Sequence, residues 1–160
     1  MSRHLDWKDE ADSIVKETLH DQITVGLRQR SNLTEAQFET ILVDQLGSEM
    51  ANKRLTREEM ARLRQTRVKI SRGAFNRTLK QSRTNVSEAV HTILLLGYSG
   101  LLESPSLAPF LEASERLRTQ TIELKRLSGD NPSEYSRLVT QLLDDLDRAF
   151  EALYGKERDT

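Results

Sequence analysis

Apolar residues spaced three and four apart, in blocks that open on the same start signal, constrain this chain more than any other feature. Trp7, Ala11, Val15, Leu19 and Ile23 recur every fourth residue, which at about 100° per residue puts them on one helix face. Asp6 is placed to cap that helix, with Asp9 and Glu10 in its first turn, and the pattern ends near Gly26 to Arg30. The sequence then reads Leu-Thr-Glu-Ala-Gln-Phe from Leu33 and Leu-Thr-Arg-Glu-Glu-Met from Leu55. Each is a capping box, Thr34 with Gln37 and Thr56 with Glu59, flanked by a hydrophobic staple. A second helix is therefore expected from Thr34, burying Phe38, Ile41, Leu42 and Leu46 and ending or loosening at Gly47. A short third helix, about Thr56 to Arg64, buries Met60 and Leu63. With seven Gly, three Pro and this periodicity the fold class is all-α.

Charge is distributed less evenly than the formal net of −1 suggests. Residues 62–83 hold eight Lys or Arg and no Asp or Glu, whereas the segments before and after them are acidic. Clustered cations release condensed counterions from phosphates, so such a segment is expected to meet a polyanion. A solvated basic helix face, or an acidic protein partner, are the other readings.

Ser71 caps a long helix from Arg72. On it Phe75, Leu79, Ser82, Val86, Ala89, Val90 and Ile93 share one side, the expected core side. Gly73, Arg77, Lys80, Gln81 and Thr84 point the opposite way, with Arg72, Asn76 and Arg83 on one shoulder. Arg and Lys read guanine, Asn and Gln read adenine, and Thr meets a thymine methyl. Gly73 either admits a phosphate or base closely or is tolerated near a helix start.

A short capped helix, a connection and a longer basic helix follow the order of a helix-turn-helix. Leu55-Thr56-Arg57-Glu58-Glu59-Met60-Ala61, then Ile70-Ser71-Arg72-Gly73-Ala74-Phe75-Asn76-Arg77-Thr78-Leu79, resembles the helix-turn-helix of sigma-factor region four and related regulators. The resemblance covers about a fifth of the chain, and the connection Gln65 to Ile70 is longer than the usual turn. In it Val68 and Ile70 alternate with Arg67 and Lys69, as an extended piece would. The resemblance implies recognition contacts at Arg72, Asn76, Arg77, Lys80 and Gln81, to which the face chemistry adds Thr84. Arg62, Arg64, Arg67, Lys69 and Arg83 are read as phosphate contacts, which position without specifying sequence.

From Val90 to Leu102 the helix is apolar nearly all round, which calls for burial at the centre of the fold or at a subunit interface. His91 in this stretch reads as a satisfied core or interface histidine, and Gly97 and Gly100 as helix stops. Ser104-Pro105 starts a helix to about Leu127; Ser128 to Pro132 is a turn; Tyr135, Val139, Leu142, Leu146, Ala149 and Leu153 form the seam of a final helix. Residues 1–102 are thus expected as a helical domain with the helix-turn-helix at about 55–87, and 103–160 as an antiparallel αα-hairpin. The hairpin's excess apolar width suits a homodimer, with Leu117, Leu124, Val139, Leu142, Leu146 and Leu153 at the interface.

Several classes are excluded on sequence grounds. With no cysteine there is no disulfide, thiolate nucleophile or Cys-ligated zinc. No phosphate-loop, dinucleotide or nucleophile-elbow pattern occurs; Gly97-Tyr98-Ser99-Gly100 has the wrong spacing for the last. Asp144, Asp145 and Asp147 read as solvated carboxylates, and His4 and His20 as structural. No enzyme activity, cofactor or metal is expected. The longest apolar run, Ile93 to Leu96, falls far short of the roughly 20 residues of a membrane span, so a soluble cytoplasmic protein, nucleoid-associated if it binds DNA, is expected. The expected function is duplex-DNA binding by a transcriptional regulator or genome-organising protein. A helical adaptor for an acidic partner and an RNA binder are the alternatives.

Overall fold

The structure is a computed structural model that describes residues 7–49, 55–66, 70–102 and 108–151. Its described elements are all helices: α1 (Trp7–His20), α2 (Gln22–Gln29), α3 (Glu35–Glu49), α4 (Arg57–Arg62), α5 (Arg72–Tyr98), α6 (Ala108–Ser128) and α7 (Pro132–Glu151). The cap Asp6, the Arg67 to Lys69 segment, the helix start at Ser104-Pro105 and the seam residue Leu153 lie outside the described residues. Among those described, no helix is long and apolar enough to cross a membrane.

Both capping boxes form. Thr34 Oγ1 accepts the Gln37 N–H at 3.2 Å while Gln37 Oε1 accepts the Thr34 N–H at 3.0 Å. Thr56 and Glu59 repeat the exchange at 3.2 and 2.9 Å. Ser71 Oγ accepts the Ala74 N–H and Asn131 Oδ1 the Glu134 N–H, each at 3.1 Å. Every such cap satisfies a backbone donor that the first helical turn leaves without a partner, and is worth about 1 kcal/mol.

Two local expectations give way to side-chain chemistry. The single N-terminal helix is broken between α1 and α2 because Asp21 takes extended backbone angles and its Oδ2 accepts both the Thr24 N–H at 2.8 Å and the Thr24 hydroxyl at 3.0 Å. A short carboxylate that can bond the backbone ahead of it favours starting a new helix over continuing the old one. Gly47 does not end or loosen α3, which runs on to Glu49. It is buried, and a Cβ there would lie 2.6 Å from Met60 Cε and 3.3 Å from Leu55 Cδ1, so its missing side chain lets α3 and the start of α4 approach closely.

Contacts divide the chain into two units, Met1–Ala89 and Val90–Thr160, and the division falls inside α5. The first unit has one core: Ala11, Val15 and Leu19 of α1, Val43 of α3, Leu55, Met60, Ala61 and Leu63 around α4, and Phe75 and Leu79 of α5, with Trp7, Phe38, Ile41 and Leu46 packed against it.

In the second unit α5 ends where Gly100 takes φ +70°, and the Leu101 N–H returns to the Leu96 carbonyl at 2.9 Å. Gly97, expected as a stop, lies within the helix. α6 and α7 are joined through Gly129 at φ +54° and pack on one another. Exposed pairs one turn apart line them: Arg126 hydrogen-bonds Glu123 and Arg137 hydrogen-bonds Glu134, which holds both carboxyls below their usual range. The expected burial of 90–102 is only partly met. Leu102 and Gly97 are buried and Ile93 and Leu96 half-buried, but Leu95 is 63% and Tyr98 93% exposed, and Val90, Leu94 and Leu101 are exposed too. His91 is likewise exposed and not a core residue. A helix apolar on every side needs neighbours on every side, and the described residues cover it only in part.

Candidate functional site

What positions a site on α5 is the side of the helix turned inward. Phe75 and Ser82 are fully buried and Leu79 nearly so. They are three and four residues apart, and so lie on one face. Losing a buried Phe typically costs 3–5 kcal/mol, on the order of a third of a domain's stability. Ser82 Oγ lies 2.6 Å from the Thr78 carbonyl and 3.1 Å from the Gln37 carbonyl of α3, so a small hydroxyl fits where a larger side chain would push the helices apart. One turn on, Asn85 and Asn32 exchange amide-to-backbone hydrogen bonds at 3.2 and 2.9 Å, tying α5 to the loop before α3. The rotational setting of α5 within the first unit is thereby fixed over three turns.

Fixing that side fixes the other. Arg72, Asn76, Arg77, Lys80, Gln81 and Thr84 are all exposed, as the helical geometry requires. Arg72, Arg77 and Lys80 form no ion pair with a described residue, nor does Arg62 at the end of α4. Gln81 donates to Asn85 Oδ1 at 2.9 Å, which restrains its amide along the helix. Gly73 is exposed in the first turn, and the nearest atoms to a Cβ there would be Ser71 Oγ at 3.9 Å and Arg77 Nη1 at 4.0 Å. The space above it is open.

Arg64 must be corrected. It is not a surface cation available to phosphate: its side chain is 5% exposed and its Nε donates to the fully buried Glu39 at 3.0 Å. Glu39 Oε1 also accepts the backbone N–H of Gln65, and of Thr66 at 3.1 Å; the Thr66 hydroxyl donates to Oε2. A carboxylate on α3 thus gathers donors from the segment that leaves α4 and holds it against the helix. The connection between α4 and α5, Leu63 to Ser71, is longer than the three or four residues of a helix-turn-helix turn. Its first part is ordered by this buried charge pair instead of by tightness.

Arg83, the other expected phosphate contact on α5, is 62% exposed but engaged: its Nη2 meets Asp44 Oδ2 at 2.7 Å. The second oxygen of Asp44 takes Arg57, whose guanidinium carbon also lies 5.9 Å from the centre of the Phe75 ring. Arg57, Asn76, Lys80, Arg83, Thr84 and Glu88 line a groove of about 480 Å³ on this side of α5. Neither Arg57 nor Asp44 stood out in the sequence, because what joins them to Arg83 is contact across three helices and leaves no local spacing to read. Arg67 and Lys69 lie outside the described residues.

Among the residues expected at a subunit interface, Val139 is 3% exposed. It is therefore a packing residue of the second unit and is corrected as such: the face of α7 that carries it is turned to the chain's own residues. Leu117, Leu124, Leu142 and Leu146 are half-buried, whereas Leu127, at the end of the expected seam of α6, and Ile122, outside that seam, are exposed. Among the described residues no three His, Asp or Glu side chains converge as metal ligands. Comparison of the chain with protein-family models, with curated proteins and with solved structures finds no match.

Proposed function

We propose that this chain binds duplex DNA through the outward face of the first turns of α5, as a transcriptional regulator or genome-organising protein. The observation that carries the reading is that Arg72, Arg77 and Lys80, with Arg62 nearby in sequence on α4, are exposed and form no ion pair with any described residue, on a helix whose opposite face is locked into a core. Unpaired cations on a rigid element favour a polyanion, since no internal carboxylate has to be displaced and little ordering entropy is lost on binding. Asn76, Gln81 and Thr84 between them are the donors, acceptors and methyl group that read base edges in a major groove. α4 and α5 act in this reading as a helix-turn-helix with a lengthened connection, and α6 and α7 as an antiparallel hairpin that pairs two copies, so that two α5 helices meet two half-sites.

Duplex is favoured over single-stranded RNA by Phe75. It is the aromatic residue of the basic stretch, and it is buried, so no ring is offered there for base stacking. Fluorescence anisotropy with a random duplex over a salt series tests the proposal. Engagement of about four phosphates gives roughly a hundredfold loss of affinity between 50 and 200 mM salt. Arg77→Ala weakens binding several-fold and leaves the unfolding midpoint in place. Salt-independent binding, or a single strand that outcompetes duplex of equal length, removes the proposal; so does absence of duplex binding alongside capture of an acidic peptide, which is the adaptor's signature.

A further inference from the structure

Asp44 makes an arrangement that surface ion pairing alone does not call for. Its carboxylate, 13% exposed, gives one oxygen to Arg57 of α4 and the other to Arg83 of α5. Arg57 is restrained further, over the Phe75 ring and with Nη1 3.4 Å from Met60 Sδ. Two guanidinium groups from different helices therefore converge on one oxyanion, at the edge of a groove that Lys80 also lines. Planar forks and a point charge around a concave surface are the chemistry that holds a phosphodiester. Glu88 also lines the groove, so among the described residues two carboxylates, Asp44 and Glu88, stand beside the three cations Arg57, Lys80 and Arg83.

We propose that this groove seats one backbone phosphodiester of the bound DNA strand, and that Asp44 is an internal competitor for it. In the free protein Asp44 keeps Arg57 and Arg83 aimed at a common point, which lowers the ordering cost of accepting a phosphate, and it sets the affinity by holding back part of their charge. Arg83 is the member that moves, because its exposed ion pair is weak and screened. Arg57 stays on Phe75 and turns only its outer nitrogen. The proposal rests on the duplex-DNA reading and adds to it a phosphate position and the residue that tunes it.

The experiment measures duplex affinity over a salt series for the full chain and for Asp44→Asn, Arg83→Gln and the double variant, with unfolding midpoints for each. Asp44→Asn binds roughly three- to tenfold more tightly, and its log-affinity falls with log-salt more steeply by about one unit. Arg83→Gln binds more weakly with a slope shallower by about one unit, and in the double variant most of the gain is lost, as coupled neighbours require. Inorganic phosphate is titrated in parallel, with the amide resonances of Asn76, Lys80 and Thr84 followed by NMR. They shift in the unaltered chain, and less in Arg83→Gln.

If duplex binds but Asp44→Asn and Arg83→Gln match the unaltered chain, the phosphate seat is overturned and the DNA reading stands. Should the chain ignore duplex while phosphate still shifts the groove, the DNA reading falls and the anion seat survives. Silence in both measurements overturns both. If Asp44→Asn unfolds, Arg83→Gln and the phosphate titration decide the matter by themselves.

Discussion

Replacing Glu39 by alanine removes the acceptor of a guanidinium that is 5% exposed, together with the oxygens that hold the Gln65 and Thr66 backbone N–H groups. The pair's attraction roughly offsets the cost of taking both charges from water, so its net contribution is small. Breaking it from one side is different, because the remaining charge stays buried without compensation, at a cost of about 3–5 kcal/mol. Against a typical stability of about 5–15 kcal/mol that is a large fraction, and it lowers the thermal midpoint by on the order of 10 °C. Urea unfolding followed by far-ultraviolet circular dichroism measures it, with an unchanged m-value as the check that two-state behaviour persists. Glu39→Gln with Arg64→Met is the informative companion: the amide oxygen still accepts the backbone donors and no charge is left buried, so the double variant recovers at least half of the loss caused by Glu39→Gln alone. A Glu39→Ala cost below about 1 kcal/mol, or strictly additive single and double variants, would refute the reasoning. The same set bears on function. Arg64→Met, where folded, leaves duplex affinity and its salt slope as they were, and a slope reduced by about one unit would return Arg64 to the surface contacts.

Gly73→Ala separates stability from binding: with no atom nearer than 3.9 Å to the new Cβ it raises stability by up to about 1 kcal/mol, and if the first turn of α5 lies close to the DNA it weakens duplex binding at the same time. Tighter or unchanged binding by that variant removes close approach at Gly73 from the account. Pairing of two copies is read by light scattering at tens of micromolar, where a dimer mass is expected and Ile122→Lys with Leu127→Lys returns it to the monomer; a monomer mass for the unaltered chain rejects the paired arrangement.

The all-helical fold was legible because its signals are local. Thr34 with Gln37, Thr56 with Glu59, and Ser71 ahead of Arg72 are bonds within one helical turn, and the spacing of Phe75, Leu79 and Ser82 follows from 3.6 residues per turn whatever surrounds them. The outward set from Arg72 to Thr84 was legible for the same reason, since a helix with one side in a core has its other side defined. Asp21 is the local feature that the stripe from Trp7 to Ile23 hides: its carboxylate starts a helix where the apolar spacing runs through.

What tertiary structure alone decided is which of the cations are free to act. Sequence offers all eight of them in 62–83 to a partner, as base or phosphate contacts. Glu39, on a different helix, turns Arg64 into a buried structural charge, and Asp44 ties Arg83 to Arg57. Those carboxylates are 25 and 39 residues away along the chain from the arginines they hold. No periodicity connects such pairs. Charge acts through space over a few ångströms, while a sequence displays only order along the chain; whether a guanidinium is offered to a partner or spent inside the fold depends on which distant side chain the packing sets beside it.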